Sequence, residues 1–243
     1  MKFFSELKDL LIIDIETVAL SPSYDELTEV MQQFWWRKVA HTLDKETVQE
    51  SYNRRANLLA EFGKVIVIGI GYFHRIDEND FGLRIKALAN HDEKALLADF
   101  AGLISHKFAK YNRLVAHNGK EFDYPYLCRR MKINGIKIPP ILQQLSQRKP
   151  WDNPHIDTME MWRFGDKRNY TSLRLLAQLF GIQPCQDMNI EGSQVHQVYY
   201  EEKEKGLDRI SAYCRCDVRM TAELYLKLRE LPTVKPENII EIS

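Results

Sequence analysis

Residues Leu10 to Thr17 read LLIIDIET. The apolar run predicts a buried strand, yet two carboxylates lie within it, two residues apart. At i and i+2 on a strand, Asp14 and Glu16 project from one face, while Ile13 and Ile15 point to the other, into a core. Neighbouring carboxylates repel, and a buried charge without a partner is costly. A divalent cation between them resolves the conflict, because a hard ion such as Mg²⁺ takes oxygen ligands and is often held by one or two carboxylates plus substrate phosphate. The pair alone is ambiguous. Asp44-Lys45-Glu46 has the same spacing and reads as a solvated helix face.

The sequence around this strand predicts a mixed α/β sheet in one domain. Ser21 to about Glu61 reads as polar and helical, with Leu27, Val30, Met31, Phe34 and Trp35 at the spacing of one apolar face. A second helix from Asp44 to Phe62 is predicted there, ended by Gly63. Val65 to Phe73, VIVIGIGYF, is a second strand and Phe81 to Ala89 a third. Asp92 caps a helix whose inner face holds Leu96, Leu97, Phe100 and Ile104. Arg113 to His117 is a fourth strand, and Phe122 to Asn134 a helix closed by Gly135. His155 to Met159 offers an edge strand. Thr171 or Ser172 caps a helix ending at Gly181, and the last long helix runs from Leu207 to Leu231. The tail beyond it has no expected part in the chemistry.

Bulk properties narrow the function classes. The 243 residues are 44% apolar and 28% charged, enough for a substantial core. Thirty-four basic residues balance thirty-four acidic ones, which argues against sequence-blind coating of nucleic acid but not against a local grip on a strand end. The start, MKFFSELKDLLIID, is interrupted by charge and reads as no signal peptide, and no run of 18 apolar residues exists. A cytoplasmic location is expected. Cys128, Cys185, Cys214 and Cys216 form no C-x-x-C pair and read as reduced, packed thiols.

Two further acidic positions join the first pair. In LVAHNGKEFDYPYL, a strand runs into Asn118, a glycine turn and then Phe122-Asp123 at a helix start. Asp123 there either answers the helix dipole or serves as a third metal-directed carboxylate. In Tyr213-Cys-Arg-Cys-Asp217, Tyr and Asp at i and i+4 share one helix face. No other aspartate has a tyrosine four before it, and none has a histidine five before it.

D-x-E on the first strand, N-x-x-x-F-D after a later strand and Y-x-x-x-D on a C-terminal helix resemble the three motifs of the DEDD 3′–5′ exonucleases, tyrosine type. FGKVIVIGIGYF, HNGKEFDYPYLCRRM and DMNIEGSQVHQVYYE are similar to the stand-alone bacterial exonucleases related to the proofreading domain of family B DNA polymerases. The resemblance covers roughly residues 8 to 230. It implies a ribonuclease H-like mixed sheet of about five strands flanked by helices, in a single domain spanning residues 1–243 with a helical insertion at about 21–61. It also implies hydrolysis of phosphodiester bonds at the 3′ end of single-stranded DNA, releasing nucleoside 5′-monophosphates. Asp14, Glu16, Asp123 and Asp217 would hold two divalent ions, Mg²⁺ or Mn²⁺, and Tyr213 would orient the attacking water. Thr17, Asn118 and Phe122 would contact the terminal nucleotide. RNA ends, or a non-catalytic nucleic-acid-binding module on the same fold, are the alternatives. No membrane is expected as a partner, and protein partners are not legible.

Other residues read as scaffold or as lesser candidates. Asp157 in HIDTM reads as structural, and His117 and His155 as satisfied scaffold histidines, since hard oxygen ligands suit Mg²⁺ better than imidazole does. Arg163, Lys167 and Arg168 either grip backbone phosphates or lie on a solvated loop. Phe34 and Trp35 fall on the apolar stripe and are expected in the core. Trp36 lies off it and is the better candidate for base stacking.

Overall fold

The computed structural model describes residues 3–42, 46–143, 145, 152–166, 168, 170–185 and 190–242. In chain order the elements are α1 (Phe4–Leu7), β1 (Leu10–Ala19), α2 (Glu29–Val39), α3 (Val48–Arg55), β2 (Gly63–Arg75), β3 (Phe81–Ala89), α4 (Glu93–His106), β4 (Arg113–Ala116), α5 (Asp123–Ile133), α6 (Pro140–Gln143), β5 (Ile156–Asp157), α7 (Thr158–Arg163), α8 (Leu173–Leu179), α9 (Val195–Glu202), α10 (Glu204–Leu228) and β6 (Ile239–Glu241). The strands form one mixed sheet in the order β5-β4-β1-β2-β3-β6. Strand β1 is antiparallel to β2 and parallel to β4, and its register against β2 shifts between Glu16 and Thr17.

Alternation along β1 builds two layers. Leu11, Ile13 and Ile15 join Leu97, Phe100, Leu127 and Met131 on the α4/α5 side. Leu10 and Ile12 join Val218, Ala222 and Leu226 on the α10 side. The two carboxylates continue the second set, so they face α10. Close approach of that helix needs β2 to be bare. A Cβ at Gly69 would lie 2.6 Å from Val218 Cγ2 and 2.8 Å from Cys214 Sγ, and one at Gly71 would lie 2.6 Å from Val218 Cγ1. The two glycines of VIVIGIGYF therefore let α10 press onto the sheet and bring its polar residues to the middle of β1.

Helix caps follow the sequence closely. The Asp92 carboxylate accepts from the Lys94 and Ala95 N–H groups, and Ser172 Oγ accepts from Leu175 N–H. Thr47 and Glu50 form a reciprocal capping box that starts α3. Between β2 and α5 lies a buried ion pair. Glu93 accepts from Arg130 through both carboxylate oxygens, from Val65 N–H at 2.8 Å and from Asn134 Nδ2 at 2.9 Å, while Arg130 Nη1 donates to Ala60 O at 2.8 Å.

Several expectations need correction. The sheet has six strands because the tail adds β6, parallel to β3. Helix α3 stops at Arg55, followed by a short 3₁₀ turn at Ala56–Leu58, and Gly63 opens β2 rather than closing a helix. Asp44, the predicted start of that helix and of the second D-x-E, lies outside the described residues; Glu46 pairs with Arg54 and Arg55. Phe34 is 53% exposed while Trp35 is fully buried. The buried stripe of α2 is Trp35 and Val39, continuing from Leu27 at four-residue steps, which turns Val30 and Phe34 outward. The thiols are not all reduced: Cys185 and Cys216 form a disulfide that ties α10 to the loop after α8. Two residues apart on a helix, Cys214 and Cys216 diverge, so Cys214 turns to β1 and Cys216 to α8. No helix among the described residues is long and apolar enough to cross a membrane.

Candidate active site

Three chain segments meet at the middle of β1, where its pairing with β4 has ended. Pairing with β4 ends at Ile12 and Val115. Beyond that point the Ile15 N–H needs a new acceptor, and Asp123 Oδ1 takes it at 3.1 Å. Asp123 is the first residue of α5. It is delivered by the turn after β4, where Asn118 adopts a left-handed φ of 63°. Asp157 holds that turn: its carboxylate accepts from the Asn118 N–H at 3.0 Å and the Lys120 N–H at 3.1 Å, and it also caps α7. Asp157 is thus a structural acid, as expected. The third segment is α10, from which Tyr213 and Asp217 reach the same place one turn apart.

Asp14, Glu16, Asp123, Tyr213 and Asp217 line an open cleft of about 710 Å³ together with Asn118, Phe122, Tyr170 and Arg174. Glu16, Asp123 and Asp217 are buried and Asp14 half-buried. Burial raises the pKa of all four carboxyls. Mutual repulsion adds to it at Asp14, facing Asp217 and Asp123, and at Glu16, facing Asp14 and Asp217. Asp123 is pushed up to about 7, chiefly by burial. Asp217 reaches about 6, burial being offset in part by the Tyr213 hydroxyl and by Arg174. One Asp217 oxygen, Oδ1, is buried with no hydrogen-bond partner among the described residues. Tyr213 is driven well above the ordinary phenol value by burial and by the Asp217, Glu16 and Asp14 charges, so it keeps its proton.

This donor set fits a hard divalent cation. Asp14, Glu16 and Cys214 present ligand atoms within 4.8 Å of one another. Burial and the Asp14 charge push the Cys214 thiol well up, so it stays protonated and hydrogen-bonds Asp14 Oδ2 at 3.3 Å. A hard cation prefers the carboxylate oxygens to the thiol, and it would relieve their repulsion and satisfy Asp217 Oδ1.

The structure places the remaining expected residues as follows. Asn118 and Phe122 line the cleft. Thr17 is buried, and its hydroxyl donates to Asn57 O at 2.8 Å, so it anchors the turn before β2 and is absent from the cleft lining. His117 is held by Thr158 Oγ1 and Thr171 O, and His155 by Leu114 N–H and Ile141 O, both as scaffold histidines. Arg163 lies 3.7 Å from Glu121 and Arg168 pairs with Asp166; Lys167 lies outside the described residues. Trp36 is half exposed on α2.

Sequence reading missed Arg174. Its guanidinium lies 5.3 Å from the centre of the Tyr213 ring, and Nη2 donates to Ile190 O at 2.5 Å. It also lowers the pKa of Glu16 and Asp217. The available signal was its place two residues after the Ser172 cap, which points it toward the cleft end of α8. Cys214 was read as a packed thiol; it is buried, and its thiol also donates to Asp14 Oδ2.

Comparison with known proteins agrees with this geometry. A family model described as a predicted 3′–5′ exonuclease related to the exonuclease domain of PolB matches residues 37–236. The match begins beyond β1, so Asp14 and Glu16 lie outside it. No curated protein matches the chain. Among solved structures, the family B DNA polymerase from the hyperthermophilic archaeon Pyrobaculum calidifontis is similar, with a TM-score of 0.52 and 16% identity over 89% of this chain. The chain spans 24% of that polymerase, and the likeness is one of fold: a mixed α/β sheet of the ribonuclease H-like kind. With more than half of its length matched, the chain belongs to the family of predicted 3′–5′ exonucleases related to the exonuclease domain of PolB.

Proposed function

We propose that this chain is a metal-dependent 3′–5′ exonuclease that removes nucleoside 5′-monophosphates from single-stranded DNA. In this reading it is one catalytic domain, with residues 21–61 as a helical insertion. The observation that carries the proposal is the convergence of Asp14, Glu16, Asp123 and Asp217 on one cleft, each with its pKa raised by burial, beside a protonated Tyr213. Such an arrangement is unfavourable as a metal-free structure and favourable as a cation site.

The four carboxylates would hold two divalent ions, Mg²⁺ or Mn²⁺. When bound, such ions lower the pKa of a water, neutralise the phosphate and stabilise the leaving oxygen. The residues do the rest. A phenol ordinarily titrates near 10 and is a poor base at neutral pH, so the Tyr213 hydroxyl would orient the attacking water rather than deprotonate it. Arg174 packs over the Tyr213 ring and is itself held by the Ile190 carbonyl. Asn118 and Phe122 line the wall against which the terminal nucleotide would rest. Water adds to the phosphorus in line, the P–O bond to the penultimate 3′ oxygen breaks, and that oxygen takes a proton.

The test uses DNA and RNA oligomers of one sequence, each labelled at the terminal 3′ nucleotide, with Mn²⁺. Release of labelled nucleoside 5′-monophosphate from DNA is the expected product. Release from RNA alone would move the substrate to RNA, and labelled oligonucleotides instead of monophosphate would refute exonucleolytic cleavage.

A further inference from the structure

A second hollow adjoins the acid cleft. It has a volume of about 310 Å³, and its lining includes Trp35, Lys38, His41, Arg55 and Leu58. Leu58, 51% exposed, lines both hollows and forms the ridge between them. The ridge is fixed to the site: Asn57 O accepts from Thr17 Oγ1 at 2.8 Å and from the Tyr126 hydroxyl at 2.9 Å.

The two hollows differ in charge. Four carboxylates gather on one side of Leu58, while the other side carries Lys38 and Arg55, the latter paired with Glu46. Lys38 is exposed and makes no hydrogen bond or ion pair with the described residues. Arg55 is held in place by Glu46 Oε1 at 2.8 Å and Ser51 Oγ at 2.5 Å. Trp35 in the wall is fully buried, and its Nε1–H finds no acceptor among the described residues. An orphaned buried donor is unfavourable unless something accepts from it. The exposed Lys38 ammonium beside an apolar wall and the Leu58 ridge suits an anionic ligand with apolar parts.

We propose that this hollow binds the sugar–phosphate backbone of a single strand behind its 3′ end, which passes over Leu58 on its way to the acid cleft. The proposal rests on the reading that the cleft takes the terminal nucleotide. It gives residues 21–61 a role: they carry the strand-tail site. A dinucleotide reaches only the cleft, whereas a longer strand also engages the hollow. Removing the Lys38 charge therefore weakens long substrates selectively.

Lys38→Ala and Lys38→Glu test this at an exposed position. Binding is read by anisotropy of a 5′-fluorescein oligothymidylate of about twelve nucleotides, in an Asp14→Ala background with Mn²⁺. Turnover of the same oligomer and of a thymidine dinucleotide is read with Asp14 intact. For Lys38→Glu the expected results are roughly tenfold weaker binding of the long oligomer at low salt, with a flatter salt dependence by about 0.7 per lost phosphate contact. Dinucleotide turnover should stay within about twofold. Unchanged binding of the long oligomer overturns the proposal, and so does an equal loss on long and short substrates. If the unsubstituted protein degrades neither oligomer, the exonuclease reading fails, and the anisotropy still decides the hollow.

Discussion

Removing one site charge should stabilise the metal-free protein while abolishing its activity. The perturbation is Asp217→Asn, which keeps shape and removes charge. Asp217 titrates near 6 in the folded chain against an ordinary value of 3.8. That gap of about two units corresponds to about 3 kcal/mol of destabilisation once the group is fully ionised. The sign follows from linkage. Well below the ordinary value of 3.8 the group is protonated in both the folded and unfolded chain and no penalty exists. As pH rises from 4 through 6, the unfolded chain releases the proton first and stability falls. The penalty is about half developed near pH 5 and complete by pH 8. Asparagine escapes it but retains part of the cost of burying a polar group, leaving a net gain of about 1–3 kcal/mol. Relief of the repulsion that Asp217 exerts on Asp14 and Glu16 acts in the same direction. For a chain of this size the gain is a rise in Tm of roughly 2–10 °C. The assay is thermal unfolding in EDTA at pH 5 and pH 8, then with Mn²⁺ at pH 8. The variant should melt higher in EDTA, with the larger margin at pH 8. Mn²⁺ at about 100 times its Kd should add about 2.7 kcal/mol to the unsubstituted protein and less to the variant. A variant that melts lower than the unsubstituted protein in EDTA at pH 8 would refute the view that the acids repel one another.

Three further outcomes are expected. Tyr213→Phe keeps the ring against Arg174 but removes the hydroxyl, so kcat should fall by roughly 10²-fold with KM nearly unchanged; a large change in KM alone would make Tyr213 a substrate contact instead. Arg130→Met strands the buried Glu93 carboxylate and should cost about 3–5 kcal/mol in denaturant unfolding. Glu93→Leu in the same chain should recover most of that loss, and no recovery would mean that the pair is worth more than its apolar replacement. Reducing the Cys185–Cys216 disulfide opens a 31-residue separation and should lower stability by about 3–4 kcal/mol, read as a shift in the melting curve with and without reductant.

The parts of the fold that were legible in sequence are those set by local rules. Alternation in LLIIDIET gave the two faces of β1, the Asp92 and Ser172 caps fixed helix starts, and the four-residue spacing of Tyr213 and Asp217 placed both on one side of α10. What escaped depends on contacts between distant segments. Cys185 meets Cys216 only because the loop after α8 folds onto α10. The tail forms β6 only because β3 offers it an edge. Phe34 and Trp35 both fit an apolar stripe, and the choice between them was made by what packs on α2: Tyr52 and Phe62 pack edge-on against Trp35, with ring centroids 5.3 and 5.0 Å away. Arg174 has no motif of its own and acquires its place from the Tyr213 ring and the Ile190 carbonyl, 39 and 16 residues away along the chain.

The most direct test of the central claim is a time course on 5′-labelled single-stranded DNA with Mn²⁺, Mg²⁺ or EDTA, run beside Asp14→Ala. The account predicts a metal-dependent ladder that shortens from the 3′ end and is absent in EDTA and in the variant. Near-wild-type shortening by Asp14→Ala with Mn²⁺ would contradict it, because the acids of β1 would then have no part in the reaction.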